Sequence, residues 1–328
     1  MAVATSSGTT MSGDFPARRA FQGKNKGSYD AYLTKVAPSG KSLVYSTYLG
    51  GKRKDFGSAI TVDDAGAVFF AGFTESTDFP LKNALQTANR GYDDGFIAKI
   101  APDGASLEFS TYLGGSKLDE IYDIARDEAG DIYVCGHTTS ANFPVKKAFQ
   151  AAHAGGMDAF LAKLVANGRS LVYSTFLGGH DIDVAGEVLV NGEGEVYLAG
   201  YTASDDFPTR NAFQSACGGY MDAFVAKFAP GGQSLSYATY LGGSGTETSP
   251  CLVVDAQGQA TVVGDTMSGN FPIKKAFQAS FRGWVDGYVA KLSAAGDSLV
   301  FSTFFGGSKQ DYPMGLALDA KGDIYVSG

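Results

Sequence analysis

Cysteine is scarce in this 328-residue chain, which has only Cys135, Cys217 and Cys251. They fall at three different positions of the internal repeat described below, where other copies carry Ala71, Asn25 and Ala59. A disulfide framework or a zinc site needs matched or clustered cysteines, so both are disfavoured and the thiols read as buried or incidental. Histidine is as sparse, and His137, His153 and His180 are scattered in a way that does not suggest a ligand set. Tryptophan occurs once, at Trp284. No apolar run approaches the roughly 20 residues of a membrane span. Residues 1 to 8, MAVATSSG, lack the basic and apolar regions of a secretory signal and read as a leader. Positive charge is in deficit: 26 Lys and Arg face 34 Asp and Glu, for a net charge of -8. That balance opposes general affinity for nucleic acid or an anionic membrane, so neither nucleic-acid binding nor membrane insertion is expected. Nucleophile-elbow, P-loop, HExxH and EF-hand motifs are all missing.

What the chain has instead is repetition. A 64-residue unit runs in register from residue 9 to 328 without insertion or deletion, giving copies at 9–72, 73–136, 137–200, 201–264 and 265–328. Phe-Pro recurs from Phe15/Pro16 to Phe271/Pro272, an Asp recurs at 30, 94, 158, 222 and 286, and Gly-Gly recurs from Gly50/Gly51 to Gly306/Gly307. Periods of this size that carry several short strands are the mark of propeller blades or stacked arrays. The unbroken repeat argues for a single domain over residues 9–328.

Each period holds four segments of strand character bounded by Gly, Asp and Ser turns. IYDIARD (121 to 127) and DIYVCGHT (131 to 138) form one hairpin, and DGFIAKI (94 to 100) with SLEFSTYL (106 to 113) forms another across APDGA. A four-stranded sheet of this size cannot bury both faces alone and exposes its edges, so the fold expected is all-β, a five-bladed β-propeller of four-stranded blades. The ring is expected to close by pairing the C-terminal hairpin (314 to 327) with the N-terminal hairpin (30 to 49) in one blade. A monomer should follow. The segment ATSSG at 4 to 8 aligns with ATVVG at 260 to 264 and competes for the same slot. Of 41 aromatic residues, 28 fall on six repeat positions, which assigns them to the core and not to a ligand platform.

The strings YSTYLGG (45 to 51), YSTFLGG (173 to 179), DAFLAKL (158 to 164), DAFVAKF (222 to 228) and SDDFP with AFQ (204 to 214) resemble the bacterial β-propeller repeats abbreviated SBBP. The likeness runs through all five units. It implies a propeller on a bacterial secreted or cell-surface protein, without catalytic residues to carry over. Five units stand here where the family name suggests seven blades.

Four constellations bear on function. Asp55, Asp119, Asp183, Glu247 and Asp311 precede the first strand of each blade and would share one mouth of the propeller. Their hard oxygens suit Ca²⁺, while the structural reading is that each acid accepts N–H bonds in its own turn. The linker motif with Phe-Pro, a basic residue (Arg18, Lys82, Lys146, Arg210, Lys274) and AFQ reads as a helical turn capped by Ser76 and Asp78. Its fivefold recurrence would suit a multivalent lectin. At the linker's end the copies disagree: Arg90/Tyr92, Tyr220 and Arg282/Trp284 stand where other copies hold Ser28 and Gly156. Tyr, Trp and Arg on loop tips suit sugar or peptide binding, and drift on loops gives the same pattern. Asp123 and Glu187, with His180 nearby, form a weak acid/base or metal constellation. The recurring Asp and Lys, as in Asp158 and Lys163, read as blade-building because an enzyme needs one site and not five. The leading expectation is a non-enzymatic module that binds a glycan or a protein. The alternatives are a polysaccharide lyase or hydrolase and a passive spacer.

Overall fold

The computed structural model describes residues 4–328, which are all β and contain no helix. The first sheet has the order β1 (Ala4–Thr10), β2 (Asp30–Val36), β3 (Leu43–Leu49). The second is the meander β4 (Asp55–Val62), β5 (Val68–Thr74), β6 (Asp94–Ile100), β7 (Leu107–Leu113). The third repeats it with β8 (Asp119–Arg126), β9 (Ile132–Thr138), β10 (Asp158–Leu164) and β11 (Leu171–Leu177). In the fourth stand β12 (Asp183–Val190), β13 (Val196–Thr202), β14 (Asp222–Phe228) and β15 (Leu235–Leu241). The fifth comprises β16 (Glu247–Val254), β17 (Ala260–Thr266), β18 (Asp286–Leu292) and β19 (Leu299–Phe305). Last comes a two-stranded sheet, β20 (Gly315–Leu318) with β21 (Ile324–Ser327). The chain divides into two compact units: residues up to Lys146 with Leu161–Ser174, and Lys147–Phe160 with Thr175–Gly328.

Within the first unit, β1 packs on β4, and β4 and β5 pack on β8. Central strands therefore face neighbours on both sides, and β5 and β6 are buried at six of their seven residues. This is why their sequences read as near-continuous apolar runs and not as strict alternation. In this unit the Phe of a Phe-Pro pair packs on the aromatic of the strand that follows it, with Phe79 4.6 Å from Phe96 and Phe15 4.4 Å from Tyr32. Tyr112 closes the arrangement by donating its hydroxyl to the Ser76 carbonyl at 2.7 Å while accepting the Phe79 amide. In the second unit Phe207 on Phe224 (4.6 Å) and Phe271 on Tyr288 (4.4 Å) repeat the contact.

The first strand of each full sheet carries a bulge, with the register slipping between Gly57 and Ala59, Ile121 and Asp123, Ala185 and Glu187, and Thr248 and Cys251. The widest slip contains Pro250, which has no N–H to give a ladder. At the opposite ends of the strands, the repeated Lys anchors the hairpin turns. Lys99 pairs with Asp63 at 3.3 Å, Lys163 with Asp127 at 3.0 Å, and Lys291 with Asp255 at 2.7 Å.

Two expectations need correction. The hairpins 30–49 and 314–327 do not share a sheet: β1 occupies the edge of β2 from Ala4↔Val36 to Thr10↔Asp30, and β20–β21 stand as a separate pair. The physical reason is that residues 4–10, read largely as leader, can satisfy the β2 ladder locally. The linker does not form a helical turn either. Its backbone runs along the fourth strand, with Lys82 bridging Ser110 and Gln86 bridging Tyr112, and Asn83 between them takes a φ of 52°.

Candidate functional site

The linkers, the Gly-Gly turns and the start of every third strand lie at one end of the strands. In the second sheet Asp94 opens β6, fully buried. Its carboxylate accepts the amides of Arg90 and Gly91, both at 3.1 Å, and the Gln86 side-chain amide at 2.6 Å. The Tyr92 amide then donates to the Lys117 carbonyl at 3.1 Å. Gly91 must be glycine, because a methyl group there would lie 1.9 Å from that same carbonyl oxygen. The backbone of the loop tip is thus fixed from three sides, and it turns the Tyr92 ring outward, 75% exposed.

The second unit builds the same device twice. Asp286 accepts the amides of Arg282 and Gly283 at 2.9 Å each, and the Trp284 amide donates to Lys309. Asp222 accepts Gly218 at 2.8 Å, and the Tyr220 amide donates to Gly245. Trp284 and Tyr220 stand 79% and 77% exposed. Arg90 sits two residues from Tyr92, and Arg282 two from Trp284, all on exposed surface. Each pair offers an apolar ring beside a planar cation.

The carboxylates expected to form a ring lie beneath these loops. Asp55 is buried and accepts the Gly51 amide at 2.8 Å, the Ser76 hydroxyl at 3.0 Å and the Thr74 hydroxyl. Asp119 takes Gly115, Ser140 and Thr138 in the same way, and Asp183 takes Gly179 and Ser204. Glu247 takes Gly243 and Thr266. Asp311 is half-buried and accepts Gly307 at 2.7 Å. Burial pushes Asp55, Asp94 and Asp183 up to about 6, ahead of the opposing effect of their hydrogen bonds. The donors at Asp55, Asp119, Asp183 and Glu247 come from the acid's own Gly-Gly turn and from the end of the neighbouring strand or the residues just after it, an arrangement that secures turns.

The linker motif has a structural task as well. Asp78 accepts the Lys52 amide at 2.9 Å and Ser76 the Arg53 amide at 2.9 Å, so these side chains cap the Gly-Gly turn and not a helix. Lys82 spends its ammonium on the Leu107 carbonyl at 2.6 Å, and Lys146 and Lys274 do likewise on Leu171 and Leu299.

Asp123 and Glu187 both follow a bulge, in β8 and β12, each in a different unit. His180 is exposed and turned to Asp206, with Nδ1 3.0 Å from its Oδ1 and 3.5 Å from Asp205. The Asp206 hydrogen bond raises the His180 pKa. Sequence reasoning did not join these three. The signal was the doubled acid in SDDFP, where other copies have GDFP, TDFP, ANFP or GNFP. Cys135 is buried, and Cys217 and Cys251 are half-buried; none of the three is in a disulfide.

The family model SBBP, a beta-propeller repeat, matches residues 44–80 and 108–144. None of the curated proteins compared with the chain matches it. Among solved structures, a protein of unknown function from Dyadobacter fermentans DSM 18053 is similar at 15% identity and TM-score 0.45, over 90% of this chain and 79% of that one. The Hadza microbial sialidase Hz136 is similar at 8% identity and TM-score 0.36, over 87% and 67%. A GH43_1 enzyme from Xanthomonas citri is similar at 12% identity and TM-score 0.32, over 82% and 89%.

Proposed function

We propose, for a chain that carries SBBP beta-propeller repeats at 44–80 and 108–144, that it is a non-enzymatic carbohydrate-binding module on a bacterial secreted or cell-surface protein. In this reading each 64-residue period supplies one blade, five in all, and the linker-bearing ends of the blades carry the binding tips. The observation that supports it is the exposure of Tyr92, Tyr220 and Trp284 on loops whose backbones are already fixed. An aromatic face held outward without ordering cost suits the apolar C–H face of a sugar ring, and the neighbouring Arg90 and Arg282 can donate to hydroxyls or carboxylates. Single tips bind weakly, and three on one chain gain by acting together on a repeating polymer.

The test is a broad glycan-array screen of the purified chain, with and without Ca²⁺, repeated with Tyr92→Ala, Tyr220→Ala and Trp284→Ala combined. A saturable hit lost in the triple variant, at unchanged melting temperature, is the expected result. A hit that survives the triple variant, or an array blank under both conditions, refutes the assignment. A hit that needs Ca²⁺ would bring the carboxylates Asp55, Asp119, Asp183, Glu247 and Asp311 back into the site.

A further inference from the structure

We propose that His180, Asp205 and Asp206 form a binding site for a divalent transition-metal cation of the Zn²⁺, Co²⁺ or Ni²⁺ type, held by one imidazole nitrogen and two carboxylate oxygens. All three residues belong to the second compact unit. One ligand atom from each lies within 4.8 Å of the other two, and all three residues are exposed. His180 Nδ1 stands 3.0 Å from Asp206 Oδ1 and 3.5 Å from Asp205 Oδ1. Two ligands held about 2.0 to 2.2 Å from one tetrahedral ion are themselves about 3.3 to 3.6 Å apart, so small side-chain rotations close the group on a metal.

The turn on which His180 sits needs neither the histidine nor the second acid. In sister copies the residue after Gly-Gly gives its amide to the acid or amide before Phe-Pro: Lys52 to Asp78, Ser116 to Asn142 and Ser244 to Asn270, each at 2.9 Å. The His180 amide makes the same bond to Asp206 at 2.8 Å. Where His180 stands other copies hold Lys52, Ser116, Ser244 and Ser308, and where Asp205 stands they hold Gly13, Thr77, Ala141 and Gly269. Two departures from the repeat, on separate segments, therefore meet at one point, and the shared backbone bond already fixes the third member. The two segments are pinned to each other as well. The Asp181 amide donates to the Ser204 hydroxyl at 2.9 Å and the Ala203 amide to the Ile182 carbonyl at 2.7 Å. Gly179 lets the turn approach the acid, since a methyl group there would lie 2.1 Å from Asp206 Oδ1.

Charge points to a dication. In the first unit Lys52 faces Asp78 at 3.6 Å, one cation for one carboxylate. Among the described residues no Lys or Arg pairs with Asp205 or Asp206, whose ion pairs are both with His180. Two carboxylates around one imidazole leave a negative surplus even when the ring is protonated, and a divalent ion removes it. The nitrogen donor and the small number of ligands favour an ion of the Zn²⁺ type over Ca²⁺, which takes about six to eight oxygens. Nδ1 would give its lone pair to the ion in place of its contact with Asp206, and Nε2 would carry the proton. Three protein ligands on exposed surface leave a fourth position for water or an exchangeable ligand.

Calorimetric titration of Zn²⁺ into the metal-free, tag-free chain tests this. One ion per chain should bind saturably, and excess Ca²⁺ should not displace it. The triple variant His180→Ser/Asp205→Ala/Asp206→Asn carries the residues with which the preceding copy builds the same turn, so its melting temperature without metal should be unchanged. Its Zn²⁺ affinity should fall by about a hundredfold or more, since loss of an outer-shell partner alone costs about ten- to a hundredfold. The reverse graft, Ser116→His with Ala141→Asp and Asn142→Asp, should raise the stoichiometry from one ion to two. Co²⁺ absorption in the native chain covers misfolding of any variant: ligand-field bands of nitrogen and oxygen ligation are expected, whereas a sulfur-to-metal charge-transfer band would assign the ion to a cysteine. No saturable Zn²⁺ binding, displacement by Ca²⁺, binding that survives the triple variant, a sulfur band, or a graft that still holds one ion overturns the proposal.

Discussion

Acidification from pH 7 to pH 5 should stabilise this protein, the reverse of the usual response. Asp55, Asp94 and Asp183 are buried, and burial pushes each up to about 6. A group whose folded pKa lies above its unfolded value binds more protons when folded. Its contribution is complete below the unfolded value and is lost as pH rises through the folded one. With unfolded carboxyls near 3.9 and one pKa unit equal to about 1.4 kcal/mol, each acid gains about 1.3 kcal/mol between pH 7 and pH 5, roughly 4 kcal/mol for three. His137 opposes them. Burial in β9 pushes it down to about 4, so the unfolded imidazole takes up a proton that the folded one refuses. That costs about 1.8 kcal/mol over the same interval and leaves a net gain of about 2 kcal/mol. Asp222 and Glu247, also raised by burial, add to the gain. At Asp63, Asp127, Glu195 and Asp255 burial is outweighed by hydrogen bonds and the partner lysine, which hold these carboxyls low, so they lose stability only at more acid pH. Urea unfolding at pH 5, 6 and 7 measures the effect. His137→Phe, which copies Phe73 at the same repeat position, should raise the gain to about 4 kcal/mol. A His137→Phe protein whose stability does not rise from pH 7 to pH 5 would refute the reasoning.

Further outcomes follow from the packing. Phe96→Ala removes a fully buried ring that meets Phe70 at 5.5 Å and Phe79 at 4.6 Å, and should cost about 3 to 5 kcal/mol in chemical unfolding. Lys163→Met strips Asp127 and Asp131 of a partner at 3.0 and 3.1 Å, and should cost about 3 kcal/mol in chemical unfolding at pH 7. Gly91→Ala drives a methyl group against the Lys117 carbonyl, so it should cost about 1 to 3 kcal/mol and weaken glycan binding through Tyr92, whereas the Gly23→Ala control, with nothing within 4 Å, should do neither.

Much of the strand framework was legible in the sequence because strand chemistry repeats. The Asp that opens β6, β10, β14 and β18 and the Lys near their ends mark the third strands. The exposed tips Tyr92, Tyr220 and Trp284 were legible because they break the repeat at one position. The linker path was not. Its Pro, basic residue and Ala-Phe pair have helical spacing, but the amide that decides its course, on Lys82, finds its acceptor at Ser110, 28 residues further on. The roles of Ser76 and Asp78 were misassigned for the same reason: the turn amides they cap belong to Lys52 and Arg53, in an earlier segment. β1 was only half legible, since ATSSGTT has little apolar pattern and acquires its pairing from β2.

Trp284 is the only tryptophan and stands at the tip of the loop on which the binding account depends, so its emission is the most direct test. A glycan identified on the array should be titrated into the native chain while Trp284 fluorescence is followed beside a calorimetric isotherm. The account predicts a saturable blue shift or quench with the same midpoint as the heat. Heat of binding with unchanged Trp284 emission, or no binding of any glycan, would contradict it.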